Sequence, residues 1–133
     1  MSGAMGDGSK YFQGVWPQYY NARKMGDLHT PGPAMSWVLI DEHPDSNDDA
    51  SLFVNPADAF NAGDNKWTEV PGGMHDSASG IVFADGHSEI HKWKGSVTTQ
   101  PVTYTTYLQS VSVSGDALSQ QDLQWLAMRT PQQ

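Results

Sequence analysis

No cysteine occurs among the 133 residues. That excludes disulfides, thiolate metal centres and cysteine nucleophiles, and is compatible with either an exported or a cytosolic protein. No run of about 18 or more apolar residues occurs either, so nothing in the sequence reads as a membrane-spanning helix. Basic residues are scarce, with 7 Lys and Arg against 15 Asp and Glu and a net charge of −8. Such a surface repels phosphate backbones and anionic lipid, which argues against nucleic acid as a partner. Met1 to Lys10 has neither the basic nor the apolar region of a secretory leader and reads as a glycine-rich loop. There is no G-x-S-x-G elbow, phosphate-binding loop or G-x-G-x-x-G.

Aliphatic residues are few, and the mean hydropathy is −0.53. Five Trp and five Tyr compensate, because one large aromatic buries roughly 150–250 Å². Thirteen Gly and eight Pro indicate many turns. A chain of this length without repeats reads as a single domain, residues 1–133. Residues 1–35 read as an irregular aromatic-rich segment, 36–95 as a β-sheet core, and 96–133 as a loop and C-terminal helix. Tyr11, Phe12, Val15, Trp16, Tyr19 and Tyr20 fall in the first part, where Gly14 and Pro17 interrupt any helical face.

The clearest strand is Ser36 to Asp41, a short apolar run expected to be buried on both faces, followed by a second at Ser51 to Val54. Residues 55–73 are polar and turn-rich, with Phe60 and Trp67 as anchors. Asp85-Gly86 between apolar runs predicts a hairpin over Gly80 to Trp93 with a two-residue type I′ turn. That register puts Ile81, Phe83 and Ile90 on the core face and Val82, His87, Glu89, His91 and Trp93 on the other. Ser96 to Ser114 reads as an edge strand or a long loop. Ser119 with Asp122 resembles a capping box for a helix whose apolar side is Leu123, Leu126 and Ala127. The whole predicts an α+β fold: a small antiparallel sheet of three to four strands, long loops and a short C-terminal helix.

Chemistry, if any, concentrates in Asp41, Glu42, Asp45, Asp48 and Asp49, with Asp85 as a sixth carboxylate. Asp45, Asn47 and Asp49 have the spacing that opens many calcium loops, but Ala50 and Pro56 stand where an EF-hand needs Gly and Glu. Two readings remain: an oxygen-ligand site favouring calcium, or a solvated loop of Asx turns. His43, His75 and His87 with Asp41, Glu42 or Asp85 suit zinc on paper. The competing reading makes each histidine a hydrogen-bonding strut, and His75 is expected to brace the chain near Asp41 to His43. His87 and His91 lie about 13 Å apart along a strand, too far to share an ion.

Three blocks together, Trp37 to Ser46, His75-x9-Asp85-Gly86-His87 and Glu89 to Trp93, resemble the bacterial prepilin-type proteins with the H-x9-DG motif. The ending Asp122 to Leu126 with Arg129-Thr130 is also similar to that group. The resemblance implies a pilin-head-like module of a type IV pilin or type II secretion pseudopilin filament, with His75, Asp85, Gly86 and His87 as its structural motif. It further implies a non-enzymatic subunit, extracellular or on the cell envelope, normally packed on and anchored by a long N-terminal helix. Its partners would be other pilin-like subunits or secretion-system components. The alternative reading is a secreted metal- or carbohydrate-binding module, or a metal-dependent hydrolase.

Overall fold

The computed structural model describes residues 22–49, 51–60 and 64–131; the aromatic segment before residue 22 lies outside them. The chain forms β1 (Trp37–Ile40), a short α1 (Pro56–Phe60), β2 (Lys66–Glu69), β3 (Ala78–Phe83), β4 (Ser88–Lys92), β5 (Gln109–Ser112) and α2 (Ala117–Ala127). The class is α+β as expected, but the strands divide into two antiparallel sheets, one ordered β1-β3-β4 and a ribbon of β2 with β5. The ribbon forms because Trp67 of β2 faces Val111 of β5, an aromatic and a β-branched residue whose pairing stabilises neighbouring strands. Residues 51–54 make no strand, yet Leu52, Phe53 and Val54 are all buried. Of the two anchors expected in residues 55–73, Trp67 is fully buried and Phe60 is 55% exposed.

Three indoles organise the interior. Trp37, Trp67 and Trp93 are buried among Leu52, Ile81, Leu123 and Leu126, and Trp67 meets Trp93 edge-on at 6.3 Å. Each buried ring contributes on the order of 4–6 kcal/mol of transfer free energy at about 25 cal/mol per Å². Each indole N–H has an acceptor, so none of that gain is lost to an unpaired donor. Trp37 donates to Thr130 Oγ1, Trp67 to Thr98 Oγ1 and Trp93 to Ser79 Oγ at 2.8 Å. An aromatic core of this kind explains how a chain poor in aliphatics folds.

β1 is buried on one face only, contrary to the expectation from its apolar run. A bulge between Trp37 and Leu39 breaks the two-residue alternation, so Trp37 and Ile40 turn inward and Leu39 outward, 48% exposed. In the hairpin, Gly86 N donates to Phe83 O and Phe83 N to His87 O. The loop is therefore three residues, Ala84 to Gly86, with positive φ at Gly86 alone (95°), and not a two-residue type I′ turn. This is the common three-residue connection, a type I turn closed by a left-handed glycine. One residue of register flips every side chain of the second strand. Ile90 thus leaves the core face and becomes 83% exposed, while His87, Glu89, His91 and Trp93 take the side of Ile81 and Phe83.

Because open space surrounds Gly86, replacing it with alanine tests the backbone alone. Gly86→Ala is expected to cost about 1 kcal/mol and to lower the melting temperature by several degrees. An unchanged melt would mean the left-handed turn is not needed. The C-terminal helix begins earlier than its expected box: Asp116 is the N-cap, accepting from the amides of Leu118 and Ser119. Asp122 instead turns inward and accepts from the amides of Lys94 and Gly95. Leu123, Leu126 and Ala127 are buried as the spacing predicts.

Candidate functional site

The acidic segment follows β1 and runs back along the end of β2. His43 N donates to Val70 O, Gly72 N donates to Asp41 O, and Glu42 bridges to Pro71. Asp45 is buried and accepts from Thr103 N, Thr103 Oγ1 and Tyr104 N at 2.7–2.9 Å. Burial opposes its charge, but those bonds and nearby His43 outweigh it and hold the carboxyl below its ordinary range. Asp48 accepts from the Tyr107 hydroxyl at 2.6 Å, which with burial and the neighbouring carboxylates pushes the phenol up to about 12. Asp49 caps Ser51 N, and Asp41 is exposed. Asp85 sits on the β3–β4 turn and accepts from His87 N and Nδ1, bonds that keep its carboxyl low. Of the six carboxylates named from sequence, Asp45, Asp48, Asp49 and Asp85 thus bond different stretches of backbone and side chain. Among the described residues, no group of three or more His, Asp or Glu is placed to hold a metal ion.

Glu42 and Glu69 behave differently. Glu69 is buried on β2, where one carboxylate oxygen accepts from Phe53 N. Burial drives its pKa up, against the pull of that bond, and Glu42, Asp48 and Asp49 raise it further, to about 8. Glu42 is raised to about 7 by burial and by Asp48 and Asp49; its Oε1 is buried with no hydrogen-bond partner. Sequence singled out Glu42 but missed Glu69, whose inward direction follows from pairing with β5 and from no local pattern.

The histidines exchange roles. His75 is exposed, and its ring bonds no other described residue. The strut is His43, 1% exposed, with Nδ1 accepting from Asp45 N and Nε2 facing Gln100 O at 3.1 Å. Those partners place the proton on Nε2. His87 stacks on Phe83 at 4.4 Å. His91 stacks on Trp125 at 3.6 Å, and the Arg129 guanidinium also lies 3.7 Å from that ring, a cation–π contact.

Among the described residues, no element covers the outer face of the three-stranded sheet. Leu39, Val82 and Ile90 stand there around Gly80, bordering an open groove of about 560 Å³ that also touches Asp41, Ser88 and Glu89. At Gly80 an added Cβ would meet nothing. Sequence placed Ile90 in the core and so missed this face; the three-residue loop is the signal that recovers it. No family model, curated protein or solved structure matches the chain.

Proposed function

We propose that this domain is a non-enzymatic head module of a subunit in a type IV pilin or type II secretion pseudopilin-like filament. The observation that carries the reading is the half-covered sheet. A sheet buries each apolar face against another element, and here the inner face meets the tryptophan core while Leu39 and Ile90 are exposed, Val82 is half-buried, and no element among the described residues lies over them. The bare Gly80 leaves the middle of that face low, which suits the close approach of an apolar helix about 10 Å across. The three sequence blocks that resemble H-x9-DG prepilin-type proteins supply the occupant, a long apolar N-terminal helix. The partners are then neighbouring pilin-like subunits or secretion-system components at the cell envelope.

A photo-crosslinking amino acid tests this in the cell that makes the protein. Placed at Leu39 or Val82, it should capture the apolar helix of a pilin-like subunit, in the same polypeptide or the next; placed at Asp64, it should not. Absence of such adducts at both sheet positions, or equal yield at Asp64, would count against the reading.

A further inference from the structure

The sheet has two outer edges, and they differ. Along β1, Trp37 N is already bonded, donating to Arg129 O. Among the described residues, β4 is the last strand on its side. Its pairing with β3 runs unbroken from Val82↔Ser88 to Ala78↔Lys92. Beyond either end, Phe83 N donates to His87 O and Trp93 N to Ser77 O, pairs in phase with that ladder. Hydrogen-bonded and non-hydrogen-bonded pairs alternate in an antiparallel ladder. His87 therefore turns its carbonyl, and residues 89, 91 and 93 their amides and carbonyls, toward β3, and Ser88, Ile90 and Lys92 turn theirs outward. No described residue bonds those outward groups. The strand has no proline and no bulge to blunt it, and the one lysine on it reaches away to Asp76 at 2.8 Å.

We infer that β4 pairs antiparallel with β4 of a second copy of this chain, across a two-fold axis through Ile90. Centred there, the outward groups match. Ile90 faces Ile90 of the second copy as a hydrogen-bonded pair, and Ser88 faces Lys92 twice. All three exposed amides and carbonyls on each strand find partners. The intervening pairs set Glu89 opposite His91 twice, whereas centring one residue earlier would set Glu89 against Glu89, a destabilising pair of like charges. A two-fold contact must be self-complementary, and the order Ser-Glu-Ile-His-Lys is complementary to itself about its middle residue. The product is a six-stranded sheet with Leu39, Val82 and Ile90 of both copies on one side, continuous across the axis. The pairing rests on the hydrogen-bond phase of β4 and is independent of the filament reading.

Edge pairing covers little area, so association should be weak and concentration-dependent. In sedimentation equilibrium, the mass should climb from 14.5 kDa toward twice that value as protein reaches hundreds of micromolar. Ile90→Lys sets two ammonium groups side by side at the axis and should hold the mass at the monomer. With Ile90 83% exposed, its melting temperature should stay near that of the unaltered protein. The absence of native cysteine makes a register test clean. Ile90→Cys places two thiols about 5.5 Å apart between Cα atoms, within disulfide reach, and should oxidise to a linked dimer. Ser88→Cys leaves its thiols four residues apart along the strands, roughly 13 Å, and should oxidise at least tenfold more slowly. A monomer mass at every concentration, or equal rates for the two cysteine variants, would overturn the inference.

Discussion

Gly95→Ala is expected to be the most damaging single methyl group that can be added to this protein. A Cβ at Gly95 would overlap Ser119 Oγ, Ser119 Cα and Ser119 N. Two of these atoms are backbone in the first turn of α2, so no rotamer change relieves the clash. The helix start is itself tied down. Asp116 accepts from the amide and hydroxyl of Ser119 and from Ser96, while Asp122 accepts from Gly95 N at 2.8 Å. Moving α2 away to admit a methyl group would loosen both sets of bonds and pull Leu123 and Leu126 from the core. Overpacking alone costs about 1–3 kcal/mol, and the lost carboxylate bonds about 1–3 kcal/mol each. The expected loss is therefore at least about 3 kcal/mol, a large part of the stability of a domain this size. Chemical denaturation of Gly95→Ala beside Gly80→Ala checks it. Gly80 has open space around its Cβ position, so its replacement should be near neutral. Comparable stability for the two variants would mean the contact between Gly95 and α2 is not rigid.

The same comparison marks what was legible in the sequence. Composition and apolar runs were enough for the α+β class, for β1, β3 and the C-terminal helix, and for Trp67 as a buried anchor, because these depend on local patterns. The Asp-Gly signal located the hairpin and the positive φ of Gly86, but loop length depends on which pairs close the ladder. One residue there moved Ile90 from the core to solvent and hid the open face. β2 escaped notice because Lys66 to Glu69 has no apolar alternation and gains its strand from β5, some 40 residues later. The carboxylate cluster looked like one site because its members are close in sequence. In the fold, Asp45, Asp48 and Asp49 diverge to serve Thr103, Tyr107 and Ser51. Asp48 and Asp49 still act on Glu42 through their charges, and Glu42 in turn acts on Glu69, which no sequence pattern connects to it.

Stability should be greatest in mild acid and should fall as pH rises through neutrality, the reverse of what an acidic protein with well-paired carboxylates shows. In the folded chain Glu42 titrates at about 7 and Glu69 at about 8; unfolded, both return to the ordinary glutamate range near 4.5. Between those limits the native state binds more protons than the unfolded state, so stability declines with pH. The contribution is complete below about pH 4.5 and is lost as pH passes through 7 to 8. At about 1.4 kcal/mol for each pH unit, the two differences taken separately come to roughly 8 kcal/mol, and less together because the repulsion between Glu42 and Glu69 is shared. A second, opposite limb lies lower. Asp45, Asp76, Asp85 and Asp116 are held below their usual range by hydrogen bonds, and their contribution disappears as acid protonates them below about pH 4. The optimum should therefore fall near pH 5. Glu69→Gln removes one titrating group and keeps an oxygen for Phe53 N, the bond that carboxylate now accepts. It should match the unaltered protein at pH 5, exceed it by several degrees in melting temperature at pH 8.5, and flatten the decline between. Glu42→Gln should do the same to a smaller extent, since Glu42 is the less buried of the two. A melting temperature that is level or rising from pH 5 to 8.5 in the unaltered protein would show that Glu42 and Glu69 ionise freely within the fold. The ionised pair would then have to be stabilised by a counter-charge that the neighbouring Asp48 and Asp49 cannot provide.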